Sequence, residues 1–309
     1  MGERTISNMN FNKIRFLNHF FYIFLFRLAS LIIPRRIQPC FTKPIGWLFY
    51  KIMKRSRDNI IKNMEIIGVE KKDLKRKAIK TFQNYGQYLL DYMVMDRINK
   101  KNIHKYLSKE IGRENIINVL KKGKGAICLS IHLGNWELGG LVLAFQGVSL
   151  NVLSLREENN KINKFREKIR EKNGIKVIYV EPEKDMLTAI IEIKKLLSMN
   201  QIIAMLGDRP TGSQLINIPF FGKECAFPAG AAYLSYVTGA PILPVFVLLD
   251  KDNRYKAIME KPINISNKTD EKEKNIREGM EKIVKIFEKY IAQYPEQWYN
   301  FFPYFEKVD

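Results

Sequence analysis

The run from Gly125 to Ile131 is short and almost uniformly apolar. Such runs are typical of strands that are buried on both faces of a sheet. Apolar runs recur along the chain, and segments with helical periodicity separate them, so we expect an α/β fold with a mostly parallel central sheet flanked by helices. Further strands are expected at 148–155, 175–180, 202–206, 242–249 and 255–263. Helices are expected at 57–67, 73–95, 158–173, 184–199, 228–238 and 271–290.

Charged and polar residues follow three of these expected strands. His132 comes directly after the run that ends at Ile131, Arg156 follows the strand at 148–155, and Asp208 and Arg209 follow the strand at 202–206. Sites in parallel sheets gather at the carboxyl ends of the strands. We therefore expect these side chains to converge at one edge of the sheet.

His132 lies five residues before Glu137, and Asn135 between them is a good helix N-cap. A turn at Asn135 would let the Glu137 carboxylate accept a hydrogen bond from one ring nitrogen and leave the other nitrogen basic. The nucleophile would then be a hydroxyl of the substrate, which makes acyl transfer to a hydroxyl the leading hypothesis. The alternative is a structural histidine followed by an ordinary acid in the first turn of a helix.

The two arginines at strand ends suggest a place for negative charge. Arg156 and Arg209 could bind a phosphate or a developing oxyanion, and Asp208 could hold one of them in position. The alternative for each is a surface ion pair at a loop, which contributes little stability.

The chain carries 52 Lys and Arg against 32 Asp and Glu, for a formal net charge of +20. This excess attracts polyanions, and nucleic acid, an anionic membrane, phosphorylated lipids and an acidic protein remain open as partners. Cys40, Cys128 and Cys225 lie far apart, without metal-ligand spacing. We expect three reduced thiols and no metal site.

The segment from Phe16 to Ile33 is apolar apart from four residues. Its length is at the short limit for crossing a bilayer, and Arg27 near its middle argues against crossing unless the side chain snorkels or faces protein. Basic residues are denser after the segment than before it, which favours a cytoplasmic location for the rest of the chain. We predict a membrane-anchor helix in residues 1–35, spanning or interfacial, and a catalytic domain in residues 36–309. A buried helix of a soluble domain is the alternative.

Several longer motifs resemble those of one enzyme family. They are R-x-N-I-I-x-N at 57–63, S-I-H-L-G-N-W-E at 130–137, G-D-R-P at 207–210, P-F-F-G at 219–222, T-G-A-P-I-L-P at 238–244 and P-E-Q-W at 295–298. The chain resembles the lysophospholipid-type acyltransferases and, most closely, the bacterial lipid A late (secondary) acyltransferases. The resemblance covers nearly the whole chain. It implies a glycerophosphate-acyltransferase-like fold at the cytoplasmic face of the inner membrane.

The resemblance also implies a reaction. Such enzymes move a fatty acyl chain from acyl carrier protein or acyl-CoA to a hydroxyl of a lipid A precursor, without a metal or redox cofactor. His132 and Glu137 match the catalytic pair of the family, and Asp208 matches a recurrent acid. The stretch W-Y-N-F-F-P at 298–303 departs from the usual ending, because the expected histidine and basic positions are missing.

Two other kinds of function stay open. The acceptor could be another lipid, such as a phosphatidylinositol mannoside or a glycerophosphate. In a different class, the chain could be a non-catalytic basic protein that binds membranes or nucleic acid. Its lysines and arginines are scattered and no nucleic-acid motif is visible, so we expect no nucleic-acid partner. The expected partners are acyl carrier protein, an anionic glycolipid and membrane lipids.

Overall fold

The structure is a computed structural model that describes residues 20–154, 160–180, 186–210, 214–267 and 271–306. The helices in these ranges are α1 (Phe20–Ile32), α2 (Gln38–Ile52), α3 (Lys54–Ile66), α4 (Lys71–Met93), α5 (Arg113–Leu120), α6 (Trp136–Phe145), α7 (Asn160–Lys172), α8 (Met186–Ser198), α9 (Gly230–Thr238) and α10 (Lys272–Gln293). The strands are β1 (Leu107–Ile111), β2 (Ala126–Ser130), β3 (Leu150–Ser154), β4 (Lys176–Tyr179), β5 (Ile202–Leu206), β6 (Leu215–Phe220), β7 (Lys223–Pro228), β8 (Ile242–Leu249) and β9 (Tyr255–Met259).

Seven of the described strands form the main sheet, in the order β1-β9-β8-β2-β5-β3-β4. The neighbours from β8 to β4 run parallel, whereas β8 and β9 pair antiparallel and β9 pairs parallel with β1. The predicted α/β class with a mostly parallel sheet is therefore confirmed. A separate antiparallel hairpin, β6–β7, was not predicted. Its turn places Phe221 and Gly222 at positive φ.

Strand β2 lies inside the sheet between β8 and β5, as its apolar sequence requires. Its side chains alternate between two hydrophobic clusters. Ile127 and Leu129 join the cluster that includes residues of α8, α9 and α10, whereas Ala126 and Cys128 join the cluster that includes residues of α5, α6 and α7. This period of two is the pattern of a strand covered on both faces.

Helices α1 to α4 pack together beside the sheet, and α1 contacts α4. Arg27 of α1 donates to the carbonyl of Met93 at 2.8 Å and pairs with Asp96 at 2.8 Å. Of the two placements expected for Arg27, snorkelling or facing protein, the structure shows the second.

The hydrophobic N-terminal helix is present as α1, but in the described part of the chain no helix is both long and apolar enough to cross a membrane. The spanning form of the predicted anchor is therefore not found there. The predicted boundary between residues 35 and 36 stays a prediction.

Candidate active site

The register of two neighbouring strands brings His132 and Asp208 together. Ser130 at the end of β2 pairs with Leu206 at the end of β5, and both residues of interest lie two positions further on. The amide of Gly207 donates to the carbonyl of Ser130 at 2.9 Å and continues the pairing beyond the strands. The predicted convergence of His132 with Asp208 and Arg209 is therefore present. Arg156, the third expected member, lies outside the described residues.

The ring of His132 is held by Asp208. Nδ1 of His132 lies 2.7 Å from Oδ1 of Asp208, and the His132 amide donates to Oδ2 of the same carboxylate at 3.2 Å. The His132 side chain is 17% exposed and that of Asp208 only 1%. An ionised carboxylate can only accept, so Nδ1 carries the proton and Nε2 is left as the basic nitrogen.

Asp208 is surrounded by donors from the C-terminal segment. Its Oδ2 accepts from Nε1 of Trp298 at 3.4 Å and from Nδ2 of Asn300 at 3.5 Å, while Tyr304 donates its hydroxyl to the Asp208 backbone carbonyl. Trp298 and Asn300 belong to the stretch that departs from the usual family ending. In this chain, that stretch helps to fix the acid behind His132.

The electrostatics of the pair leave His132 neutral and Asp208 charged at neutral pH. Burial lowers the pKa of His132 below its ordinary value and outweighs the attraction of Asp208 for the protonated ring. Burial alone would raise the pKa of Asp208, but the facing His132 and the nearby Arg209 outweigh it and lower this pKa to about 2. A neutral imidazole with a buried anion behind it is the arrangement that a general base needs.

The predicted hydrogen bond between the His132 ring and Glu137 is not present, because Glu137 pairs with another residue. Its Oε1 accepts a hydrogen bond from Nη2 of Arg170 at 2.8 Å, and both side chains are largely buried. Glu137 lies in the first turn of α6, where Arg170 of α7 reaches its carboxylate. Strand order brings Asp208 to the ring instead, so the ring of His132 donates its hydrogen bond to Asp208 and not to Glu137.

Asn135 begins α6 as predicted. Its Oδ1 accepts from the amide of Leu138 at 3.0 Å, and its own amide donates to the carbonyl of Val247 at 2.7 Å. This cap ends the loop that carries His132 and fixes where Glu137 can lie.

Gly134 allows the same loop to pass close to β8. It has a φ of +68°, and a Cβ at this position would lie 2.1 Å from the carbonyl oxygen of Val247. The loop is also paired on its other side, because Gly134 donates to the carbonyl of Gln297 at 2.9 Å and Tyr299 donates to the carbonyl of His132 at 2.8 Å. Backbone bonds on both sides hold His132 in place.

Arg209 lies beside Asp208 and donates hydrogen bonds to the C-terminal segment. Its Nη2 donates to the carbonyl of Tyr299 and its Nε to Oδ1 of Asn300, both at 3.4 Å, and its guanidinium lies over the ring of Phe302. Burial lowers the pKa of Arg209 from its ordinary value, against the attraction of Asp208.

Two asparagines of the R-x-N-I-I-x-N motif hold the C-terminal segment that contacts Asp208. Asn63 donates to the carbonyls of Asn300 and Phe302 at 3.2 and 2.8 Å, and Asn59 donates to the carbonyl of Phe301 at 3.1 Å. The sequence alone gave this motif no role, and it did not indicate Arg170, Trp298 or Asn300 as residues of the site. The burial and pairing of these polar groups are visible only in the structure.

Comparison with known proteins places these features in a class. Residues 6–307 match the family model described as "Bacterial lipid A biosynthesis acyltransferase". Relatives named phosphatidylinositol mannoside acyltransferase occur in two strains of Mycobacterium tuberculosis, at 23% identity over 165 residues and 24% over 166. These two alignments cover 53% of this chain and 52% of each relative. The relative from Mycolicibacterium smegmatis is 22% identical over 235 residues, which are 75% of this chain and 72% of that protein.

The fold and these matches place the chain in a class of proteins named for acyl transfer. The chain belongs to the bacterial lipid A biosynthesis acyltransferase family, as the sequence resemblance indicated. It spans about half the length of the Mycobacterium tuberculosis relatives that it matches.

Proposed function

We propose that this acyltransferase moves a fatty acyl chain from a thioester to a hydroxyl of a phosphorylated glycolipid, with a lipid A precursor as the acceptor. The observation that carries the proposal is the His132–Asp208 pair at the carboxyl ends of β2 and β5. A neutral histidine with a fixed tautomer is suited to remove the proton of a weakly acidic hydroxyl.

The reaction needs no covalent enzyme intermediate. Nε2 of His132 takes the proton of the acceptor hydroxyl while its oxygen attacks the thioester carbonyl carbon. The new C–O bond forms, the carbonyl oxygen becomes an oxyanion, and the C–S bond then breaks. The thiolate leaves with the proton that His132 gives back, so an ester and a thiol are the products. Asp208 stabilises the imidazolium in between.

The other candidate residues receive supporting roles in this proposal. Arg209, with Arg156 from beyond the described residues, supplies positive charge for a phosphate or for the oxyanion. Glu137 acts through Arg170, because their ion pair joins α7 to the start of α6, the helix that follows the His132 loop. Asn135 fixes the loop between His132 and Glu137.

A second acceptor is favoured by one observation. The relatives at 22–24% identity are named phosphatidylinositol mannoside acyltransferases. Another glycolipid of this kind is therefore the alternative to a lipid A precursor, with the same chemistry at His132. For the donor, acyl carrier protein suits the +20 charge of the chain because that protein is acidic, and acyl-CoA carries phosphates that also suit it.

We further propose that the enzyme acts at the cytoplasmic face of the inner membrane. Helices α1 and α2 expose large apolar side chains, which include Phe24, Leu28, Ile32, Phe41, Ile45, Trp47, Leu48 and Ile52. Exposed basic residues accompany them, namely Arg36, Lys43, Lys51, Lys54 and Arg55. Exposed apolar side chains together with exposed positive charge on the same segment are suited to an anionic lipid surface.

Lipid analysis tests the proposed acceptor. Mass spectrometry of lipids from a strain that lacks this gene should show one lipid A species with one acyl chain fewer, restored by the wild-type gene and not by a His132→Ala version. Loss of a chain from a different glycolipid would favour the second acceptor. An unchanged lipid spectrum, together with no transfer by the purified enzyme to either acceptor from either thioester, would contradict the proposed function.

A further inference from the structure

A partly open cavity of about 380 Å³ is lined by residues of α1, α2 and α4, together with Phe301. Its described walls are carbon almost throughout, and Thr42 and Tyr85 are the lining residues that carry a hydroxyl. The apolar lining includes Phe26, Ile33, Phe41, Ile45, Phe82 and Leu89. Protein interiors are packed densely, and an apolar space of this size offers ordered water too few polar partners. Its volume falls in the range of ligand cavities, roughly 300–1,000 Å³, and its chemistry suits a hydrocarbon.

The cavity adjoins the candidate active site through a series of ring contacts. Tyr85 lines the cavity and stacks on Tyr88 with centroids 5.7 Å apart. Tyr88 packs on Trp136 at 4.8 Å, and Trp136 meets the ring of His132 edge-on at 5.0 Å. Tyr299, whose amide bonds to the His132 carbonyl, contacts Tyr85 at 5.2 Å. The same aromatic wall therefore borders both the catalytic histidine and the apolar cavity.

Two glycines face this region, and packing explains only one of them. A Cβ on Gly46 of α2 would lie 2.7–2.8 Å from atoms of Gln83, so close contact between α2 and α4 requires glycine there. A Cβ on Gly86 of α4 would meet Thr42 at 3.8 Å, which is ordinary contact. A glycine in a helix interior makes the helix less stable than an alanine does. Gly86 therefore lowers the stability of α4, and close packing does not require it. What the missing side chain leaves is open space in the cavity that Gly86 lines.

We propose that this cavity binds one hydrocarbon chain of a substrate and that Gly86 determines how long a chain it accepts. The inference rests on the proposed function, because it takes the occupant of the cavity to be a chain of that enzyme's lipid substrate. The chain belongs either to the acyl donor or to the acceptor lipid, since both carry the same alkyl chemistry. A side chain added at Gly86 should occupy the space of the chain and favour shorter substrates.

Kinetics with matched substrates tests the inference and separates the two sources. The variants are Gly86→Leu, Gly86→Ala and, as a control, Lys80→Leu, which adds the same side chain at an exposed position of α4. With one acceptor, the ratio of palmitoyl to decanoyl transfer is measured. With one donor, acceptors that differ in chain length are compared. Gly86→Leu should lower one of these long-to-short ratios by at least about tenfold, the binding lost when about two methylene groups are displaced.

A shift in the donor ratio assigns the cavity to the donor chain, and a shift in the acceptor ratio assigns it to the acceptor. Gly86→Ala should shift the same ratio in the same direction by a smaller factor, and Lys80→Leu should shift neither. Unchanged ratios for Gly86→Leu in a folded protein would overturn the inference. If Gly86→Leu does not fold, unchanged ratios for Gly86→Ala have the same meaning.

The affinity for a fatty acid, measured without acyl transfer, tests the cavity independently of the proposed function. Wild type and His132→Ala should bind the fluorescent fatty acid cis-parinaric acid equally well, with affinity about tenfold weaker in Gly86→Leu. Such binding without transfer to any acceptor would count against the proposed function alone. If the enzyme transfers acyl chains but Gly86→Leu changes neither its fatty-acid affinity nor its chain-length preference, the result would count against the cavity alone.

Discussion

Nδ1 of His132 and Oδ1 of Asp208 lie 2.7 Å apart, although the two residues are 76 positions apart in the chain. Their contact follows from sheet topology, because each lies two residues beyond a register pair of the adjacent parallel strands β2 and β5. The carboxylate that holds the ring is thus not the nearby Glu137, which pairs with Arg170. This arrangement separates the roles of the two acids and makes them testable.

Replacing Asp208 should harm catalysis far more than replacing Glu137. Asp208→Asn keeps the shape but removes the charge that fixes the His132 tautomer, and we expect kcat to fall by about 10²–10⁴. Glu137→Gln keeps an oxygen that can accept from Arg170, and we expect a loss of about tenfold or less. Steady-state kinetics of both variants, with circular dichroism to check folding, measures the difference. The reverse order of effects would assign the orienting role to Glu137.

The pH profile should reflect the lowered pKa of His132. The base is active only when neutral, and its pKa lies below the ordinary 6.5, so kcat/KM should hold across neutral pH and decline only below 6.5. In Asp208→Asn the attraction that favours the protonated ring is gone. The acid limb should therefore move to still lower pH while the maximum rate falls. An acid limb centred above 6.5 in the wild type would contradict this account.

Stability should fall in acid for two reasons with the same sign. The unfolded chain protonates His132 near pH 6.5, before the folded protein does, so the fold loses stability as the pH drops below that value. Asp208 stabilises the fold above its unfolded pKa of 3.8, and this contribution is lost as the pH falls towards its folded value of about 2. Denaturant titrations at several pH values for wild type and Asp208→Asn measure the second contribution, which the variant should lack.

The sheet could be predicted because its strands are short apolar runs between helical segments. Strand β2, the Asn135 cap and strand β5 all lie where the sequence placed them. Helix α2 was missed because Pro39, Pro44 and Gly46 are typical of turns. In the structure, Pro39 lies in the first turn of α2, and Gly46 lies where α2 packs closely against α4. Strand β1 and helix α5 were missed because their segment reads as polar. Strand β1 lies at the edge of the main sheet without a buried residue, and α5 buries only Ile116 and Val119.

The site could be predicted only as far as local sequence determines it. His132 and the acid five residues later are visible in a single motif, but which acid meets the ring depends on the order of strands in the sheet. That order places β5 beside β2, and no local pattern gives it. The C-terminal contributors Trp298 and Asn300 were likewise hidden, because they reach Asp208 from a segment without regular structure.

The contrast between the two helix glycines should appear in stability. Gly86→Ala should raise the free energy of unfolding by about 0.5–1 kcal/mol, since alanine fits there and glycine weakens a helix. Gly46→Ala should lower it by more than about 1 kcal/mol, because the new methyl group meets the backbone of Gln83. Denaturant unfolding of the two variants side by side measures both changes. Equal effects of the two substitutions would remove the packing distinction between them.

The junction of α1 and α2 should depend on a buried ion pair. Arg35 binds Asp91 through two hydrogen bonds of 2.9 and 3.0 Å, and Tyr255 donates to the same carboxylate at 2.9 Å. Asp91→Asn leaves the Arg35 charge buried without its partner, and we expect a loss of about 3–5 kcal/mol. The exposed pair Lys62–Glu306 is a matched control, and Glu306→Gln should cost at most about 1 kcal/mol. Similar losses for both variants in denaturant unfolding would contradict the structural role of the Arg35–Asp91 pair.

The most direct measurement is acyl transfer by purified His132→Ala enzyme, with a long-chain acyl thioester and a hydroxyl-bearing glycolipid acceptor. The variant should keep the fold and fatty-acid binding of the wild type, because His132 is not part of the apolar cavity. Its rate should fall by about 10²–10⁴, the contribution of a general base. A folded His132→Ala enzyme that transfers acyl chains at a rate close to wild type would contradict the assignment of His132 as the base.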